Sequence, residues 1–168
     1  MDRNSPKDRP GTPLREHALR LLSRREHSRA ELARKLRGCE SAAGAAEVET
    51  LLDELAERKL LSDERYAEGR AHVLSKKYGA SRVAHELRAK GVSAELVAET
   101  SRAARETDLA RARGIWRRKF RSPGTSREER AKQMRFLQAR GFSFDVIRAV
   151  LNTNEEEDDA GADDAAEN

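Results

Sequence analysis

Two stretches of this 168-residue chain resemble each other, and this internal similarity constrains the fold more than any other feature of the sequence. The segment HELRAKGVSAELV, residues 85–97, aligns with RFLQARGFSFDVI, residues 135–147, so that Gly91 falls on Gly141. A further step of about fifty residues towards the N-terminus reaches a more diverged copy around Leu36. Self-similarity at a fixed period is typical of tandem modules. We therefore expect one small unit to occur three times.

Each copy contains three runs of apolar residues at helical spacing, separated by glycine or by residues that commonly cap helices. Residues 14–122 contain no Pro, and good helix formers dominate this range. Ser28 and Ser126 each precede a glutamate by three positions, which predicts a capping box at two helix starts. Gly141 is expected to end a helix in the left-handed conformation. The pattern thus indicates three helices in each copy.

The predicted fold is all-α, with three tandem three-helix repeats stacked into an elongated, curved body between disordered N- and C-terminal tails. Either Ser62 or Asp63 is expected to cap the first helix of the second repeat. A unit of this size buries little surface alone, so each repeat should pack against its neighbour. The expected ranges are 1–13 for the first tail, 14–61, 62–104 and 105–152 for the repeats, and 153–168 for the acidic tail.

Charge is distributed unevenly along the chain. Residues 155–168 contain eight acidic side chains and no Lys or Arg. The rest of the chain therefore holds 34 basic and 22 acidic side chains, a net charge of about +12. Such an excess favours a polyanionic partner, with a merely soluble basic surface as the alternative.

The sequence shows none of the usual patterns of an enzyme or a metal protein. It has no Gly-rich phosphate loop, and its four His lack the spacing of a metal site on a helix. Cys39 is the only cysteine, and we expect an idle reduced thiol. Neither a signal peptide nor an apolar span of about 20 residues is visible. We predict a cytoplasmic protein that is not an enzyme and needs no cofactor.

Aromatic side chains offer two interpretations. Trp116 precedes the basic run of residues 117–119, where a nucleic-acid base could stack on its ring. It also shares a helical stripe with Phe120, so we favour a place in the core. Tyr66 and Tyr78 are likewise expected in the core or between helices.

Clusters of basic side chains are the candidates for contact with a partner or with DNA. A solvated helix face is the alternative at each position. The candidates are Arg70, Lys76, Lys77, Arg82, Arg88, Lys90, Arg117, Arg118, Lys119 and Arg140. Arg outnumbers Lys in the chain, which favours bidentate pairing with carboxylate or phosphate.

The segment SDERYAEGRAHVLSKKYGASRVAHELRAKGVS, residues 62–93, resembles the signature of the RecX family of bacterial recombination regulators. The shared elements are the Asp63, Tyr66 and Ala67 start, the turn at Gly79 and the ELRAKGV ending. Upstream, ELARKL and LLDELAERKLLSDERYA are also similar to this family. The resemblance covers about residues 14–152 and leaves out only the tails.

The resemblance implies a fold of three tandem three-helix repeats and a function that composition cannot give. It implies a protein that binds RecA and RecA filaments on single-stranded DNA, in the helical groove of the filament. We expect this protein to be a monomer. Binding is expected to inhibit the ATPase, recombinase and coprotease activities of RecA in DNA repair and the SOS response. Weak direct binding to single- or double-stranded DNA is also expected. The alternative is a helix-turn-helix-like regulator that acts directly on DNA.

Overall fold

The computed structural model describes residues 13–38 and 44–159, with side chains described as far as residue 152. Within these ranges the chain forms nine helices and no strand, which confirms the predicted all-α fold. The helices are α1 (Pro13–Leu22), α2 (Arg29–Arg37), α3 (Ala45–Glu57), α4 (Asp63–Ser75), α5 (Ala80–Ala89), α6 (Ala94–Glu106), α7 (Asp108–Lys119), α8 (Arg127–Gln138) and α9 (Phe144–Asp159). Cys39 and residues 40–43 lie outside the described residues.

The helices form three consecutive groups of three, and each group encloses its own apolar core. Large, fully buried side chains include Leu32, Leu36, Leu52 and Leu55 in the first core, Val83, Leu87 and Val97 in the second, and Trp116, Leu137 and Ile147 in the third. Trp116 is only 2% exposed and Tyr66 5%, so both belong to the core as expected. Val73, an apolar residue of α4, is 56% exposed.

Helix starts follow the sequence closely. At α8, the Ser126 hydroxyl accepts from the Glu129 backbone N–H, and the Glu129 carboxylate accepts from the Ser126 N–H, so the predicted capping box is complete. At α2, the Ser28 hydroxyl accepts from the Glu31 N–H at 3.1 Å. The carboxylate of Glu31, however, is bound by the guanidinium of Arg25. Arg25, which lies before the helix, thus takes the place of the Ser28 backbone N–H that Glu31 would bind in a complete capping box.

Two glycines in corresponding positions end α5 and α8. Gly91 has φ +74° and Gly141 has φ +80°, a left-handed conformation that side chains with a Cβ rarely adopt. After Gly91, the Val92 N–H donates to the Leu87 carbonyl at 3.1 Å, which closes the helix end as in a Schellman motif. The prediction for Gly141 is confirmed.

The last helix is longer than the repeat pattern indicates. α9 continues to Asp159, whereas the third repeat was expected to end at residue 152. It therefore includes the first five acidic residues of the acidic segment, Glu155–Asp159. The remaining residues, 160–168, lie outside the described part of the chain.

The first and second repeats meet at what we call the first joint. The Ser28 hydroxyl, at the start of α2, donates to the Lys90 carbonyl at the end of α5, at 2.5 Å. The backbone N–H of Arg29 donates to the Asp63 carboxylate at 2.7 Å. Ser62 caps α4 through its own hydroxyl, which leaves the Asp63 carboxylate available to the neighbouring repeat.

The second and third repeats meet at the second joint, which copies the first. The Gly79 N–H donates to the Arg140 carbonyl at 2.8 Å, and the Ala80 N–H donates to the Asp108 carboxylate at 3.1 Å. A Cβ built at Gly79 would lie only 2.5 Å from the Gly141 carbonyl oxygen, so the two backbones touch. Each joint thus has one bond to a joint carboxylate and one bond to the carbonyl before a helix-ending glycine, donated by the Ser28 hydroxyl in the first joint and by the Gly79 N–H in the second.

An ion pair between Asp108 and Arg111 strengthens the second joint. The Arg111 guanidinium binds the Asp108 carboxylate and also donates to the carbonyls of Ser75 at 2.6 Å, Tyr78 at 2.7 Å and Ala104 at 2.8 Å. Burial raises the pKa of Asp108, and a backbone N–H donor and the Arg111 charge oppose that rise. Arg111 therefore joins the ends of α4 and α6 to the start of α7.

Candidate functional site

A solvent-open cleft lies beside each joint, and each has a volume of about 380 Å³. The first cleft is lined by Arg25, Glu26, Glu31, Tyr66, Gly69, Arg70, Val73 and Lys90. The second cleft is lined by Lys76, Lys77, Tyr78, Ile115, Arg118, Lys119, Phe136 and Arg140. Because the joints are copies, the residues that line the two clefts can be compared position by position.

Three anchors set this correspondence. When the starts of α2 and α5 are aligned, Arg25 corresponds to Lys76 and Glu26 corresponds to Lys77. The starts of α4 and α7, at the joint carboxylates, align Arg70, Val73 and Leu74 with Ile115, Arg118 and Lys119. The helix-ending glycines align Glu86 and Lys90 with Phe136 and Arg140. The two clefts therefore lie at corresponding positions of the repeats and differ in their side chains.

The first cleft neutralises its own charge. Arg25 binds the buried carboxylate of Glu31 at 2.6 Å, and Arg70 binds Glu86 at 2.7 Å. The hydrogen bond from Arg25 lowers the pKa of Glu31 to about 2 and outweighs the opposing effect of burial. Glu26 pairs with Arg65 at 2.8 Å. The cations of the first cleft are thus largely occupied by carboxylates of the same chain.

The second cleft has lost these carboxylates. Lys77 replaces Glu26, and Phe136 replaces Glu86. Arg82 occupies the position that corresponds to Glu31. Five cationic side chains line the cleft, and no described residue in its lining is acidic. This concentration of positive charge would attract an anion with several negative groups.

Aromatic rings lie against two guanidinium groups, that of Arg140 in the second cleft and that of Arg82 beside it. The Arg140 guanidinium lies 3.7 Å from the centre of the Phe136 ring, and its Nη1 donates to the Phe136 carbonyl at 3.1 Å. The Arg82 guanidinium lies 5.8 Å from the centre of the Tyr78 ring. Such stacking orients a guanidinium while leaving its other donors free to bind phosphate or carboxylate.

The structure brings half of the ten candidate cations into the second cleft: Lys76, Lys77, Arg118, Lys119 and Arg140. Arg82 lies beside it, while Arg70 and Lys90 line the first cleft. Arg88 and Arg117 are exposed and line neither cleft. Sequence reasoning did not identify Phe136 or the Asp108–Arg111 pair. Aligning the repeats by charge would have revealed the exchange of Glu86 for Phe136.

Among the described residues, no three or more His, Cys, Asp or Glu side chains are grouped so that they could hold a metal ion. In the same ranges, no helix combines the length and apolarity needed to cross a membrane.

Comparisons with known proteins agree with the three-repeat architecture. Family models for the first, second and third three-helix domains of RecX match residues 15–55, 62–100 and 106–151. The regulatory protein RecX of Leptothrix cholodnii is 44% identical over 152 residues, which is 90% of this chain and 96% of that protein. The regulatory protein RecX of Herbaspirillum seropedicae is 42% identical over 145 residues, covering 86% and 93% of the two chains.

The crystal structure of RecX from Lactobacillus salivarius superposes with a TM-score of 0.69, covering 84% of this chain and 94% of that one. Its sequence identity of 20% supports the shared fold alone. The family models and the two closely similar relatives extend over nearly the whole length that the repeats occupy. The chain therefore belongs to the RecX family.

Proposed function

We propose that this chain is a non-enzymatic regulator that binds RecA and RecA–single-stranded-DNA filaments in the helical groove. Binding inhibits the ATPase, recombinase and coprotease activities of RecA. Membership of the RecX family supports the choice of partner. We place this activity in the cytoplasm, in DNA repair and the SOS response, and assign it to a monomer.

The row of repeats supports a mode of action that depends on length. Two similar hydrogen-bonded joints fix each repeat on the next, so the three repeats can act as one rigid body and not as independently moving domains. A body of this kind can lie along a helical groove and touch more than one RecA protomer. Bridging protomers would oppose the conformational changes that accompany ATP hydrolysis and strand exchange.

The second cleft supports a specific assignment of the binding residues. It has five cations and lacks carboxylates equivalent to those that pair with the cations of the first cleft. A DNA backbone offers phosphates at close spacing, and each phosphate contact releases condensed counterions. We assign to the second cleft the contact with DNA phosphates, in the filament and in weak binding to free DNA.

The positions of these cations disfavour the alternative of a helix-turn-helix regulator. Lys76, Lys119 and Arg140 follow or close the C-terminal ends of α4, α7 and α8. A recognition helix reads bases with residues of its N-terminal part. Cations at helix ends suit phosphate contacts without base reading.

A transplant between the two clefts tests this assignment. The double variant Lys77→Glu, Arg118→Val gives the second cleft the residues found at the equivalent positions of the first cleft, Glu26 and Val73. We expect its affinity for RecA–single-stranded-DNA filaments, measured by anisotropy of the labelled protein, to fall at least about tenfold with a shallower salt dependence.

The control variant Arg20→Glu, Arg102→Val makes the same change in net charge at two exposed helical positions outside both clefts. We expect this variant to bind nearly as the wild type does. Equal losses in the two variants would show that bulk charge, not the second cleft, determines binding. Unchanged binding by the transplant would also refute the assignment.

A further inference from the structure

A third depression differs from the two clefts because its floor is apolar. It runs between α4 and α6, reaches the start of α7 and has a volume of about 600 Å³. We call it the α4–α6 groove. It is lined by Glu64, Glu68, Ala71, His72, Ser75, Lys76, Leu96, Glu99, Thr100, Ala103, Ala104, Thr107 and Arg111.

Charge is separated along this groove. Arg111 binds the carbonyls of Ser75 and Ala104, so the C-terminal ends of α4 and α6 lie side by side, and the two helices run in the same direction. Glu64 and Glu68 belong to the early turns of α4, and Glu99 belongs to the first half of α6. The groove therefore has an acidic end near the helix starts. Its other end has two cations, Lys76 and Arg111, and the Arg111 guanidinium is already bonded to the protein.

In the third repeat, the equivalent helix face is covered by side chains of the repeat itself. Aligning the starts of α4 and α7 places Leu109, Trp116 and Phe120 where the groove has Glu64, Ala71 and Ser75. On α9, the fully buried Val150 corresponds to Thr100 of α6. Trp116 and Phe120 pack in the core of the third repeat.

The second repeat thus lacks the bulky apolar side chains that the third repeat supplies on this face, and it has carboxylates and small residues instead. Its own core is complete without them, because Tyr66, Val83, Leu87 and Val97 are buried. The groove is therefore an unfilled surface and does not result from a defective core.

We propose that the α4–α6 groove is a docking site for a basic amphipathic helix of another protein. Large apolar side chains of that helix, aromatic or Leu at a spacing of three or four residues, occupy the floor formed by Ala71, Leu96 and Ala104. Its Lys or Arg residues lie against Glu64, Glu68 and Glu99. A nucleic acid or an anionic lipid surface is disfavoured because these three carboxylates would repel its phosphates. The binding mode is an apolar helix face laid into a groove.

The test uses a display library of random 16-residue peptides, selected for binding to the immobilised full chain. We expect the enriched peptides to combine large apolar residues at positions i and i+3 or i+4 with a net positive charge. Synthetic copies of them, labelled for anisotropy, should bind the Glu68→Lys, Glu99→Lys variant at least tenfold more weakly than the wild type. Enrichment of acidic peptides, or of none, would overturn the proposal.

Filling the groove from within provides a second test. Ser75→Phe places at the end of α4 the residue that the third repeat has in the equivalent position, and it should weaken peptide binding at least tenfold. Val73→Phe adds the same ring to an exposed position that lines the first cleft, and it should leave peptide binding unchanged. Equal effects of the two variants would refute the location.

Sedimentation equilibrium of the wild type excludes one other occupant. A dimer that Ser75→Phe abolishes would show that a second copy of this chain fills the groove, and the proposal of a different partner would then be wrong. Peptide binding and RecA binding are measured separately. Failure here therefore leaves the proposed RecA function intact, and failure of the RecA function leaves this test valid.

Discussion

Replacing Asp108 with Ala should destabilise the chain more than replacing its copy, Asp63. Both carboxylates start the first helix of a repeat and accept one backbone N–H from the preceding repeat, at 3.1 Å and 2.7 Å. Both substitutions therefore remove the same joint bond and the same favourable charge at a helix start. Only Asp108, which is 2% exposed, also balances the charge of a largely buried arginine, Arg111.

The expected magnitudes follow from this difference. Losing one hydrogen bond and a charge at a helix start costs about 1–2 kcal/mol, which we expect for Asp63→Ala. Removing one partner of a buried ion pair costs about 3–5 kcal/mol. Arg111 keeps three carbonyl acceptors, and burial already raises the pKa of Asp108, so the lower limit applies. We expect about 3 kcal/mol for Asp108→Ala.

Urea unfolding followed by circular dichroism measures both values, with the slope of each transition compared to detect loss of cooperativity between repeats. Amide hydrogen exchange of Ala80 should also accelerate in Asp108→Ala, and that of Arg29 in Asp63→Ala, because these N–H groups lose their acceptors. Equal costs for the two substitutions, or a cost below about 1 kcal/mol for Asp108→Ala, would refute the assigned role of the ion pair.

Three further outcomes are expected. Gly141→Ala should lower the melting temperature by several degrees, because the added Cβ would lie 2.7 Å from the Arg82 nitrogen and the backbone has a φ of +80°. Gly114→Ala, in an open helical position, should raise the melting temperature slightly. A similar shift in both variants would contradict this explanation. In Glu31→Gln, the free energy of unfolding should fall less on acidification than in the wild type. The folded-state pKa of Glu31 is about 2 against an ordinary value of 4.5, so the carboxylate contributes its full stabilisation above pH 4.5 and loses it as the pH falls towards 2. Urea midpoints from pH 6 to pH 2.5 measure this effect, and parallel curves for variant and wild type would rule it out. Deleting residues 155–168 should tighten DNA binding at low salt and steepen its salt dependence, since eight acidic side chains then no longer compete for the cations of the second cleft; superimposable anisotropy titrations from about 50 to 200 mM salt would exclude such competition.

The helices and their ends were accessible from the sequence because local rules govern them. The Gly91 and Gly141 pair, the Ser126 cap and the apolar stripes each depend on residues within one or two turns. The internal repeat allowed the remaining helices to be predicted, since the helix pattern of the clearer copies could be transferred to the diverged first copy. The exact limits of the repeats stay a prediction.

The joints and the clefts were not accessible in this way because they connect distant positions. The sequence left Ser62 and Asp63 as alternative caps, and only the fold shows that Ser62 caps α4 while Asp63 binds the preceding repeat. Likewise, Arg70 looks like any basic candidate until α5 brings Glu86 to 2.7 Å from it. Which cations are free to bind a partner depends on such pairing, and pairing depends on the packed structure.

The proposed function is tested most directly by ATP hydrolysis of RecA on single-stranded DNA in the presence of the purified chain. We expect substoichiometric amounts to slow hydrolysis, because a body fixed in the groove restrains more than the protomers it touches. The chain alone should hydrolyse no ATP. Unchanged hydrolysis over a tenfold concentration range around equimolarity with RecA would contradict the proposed function.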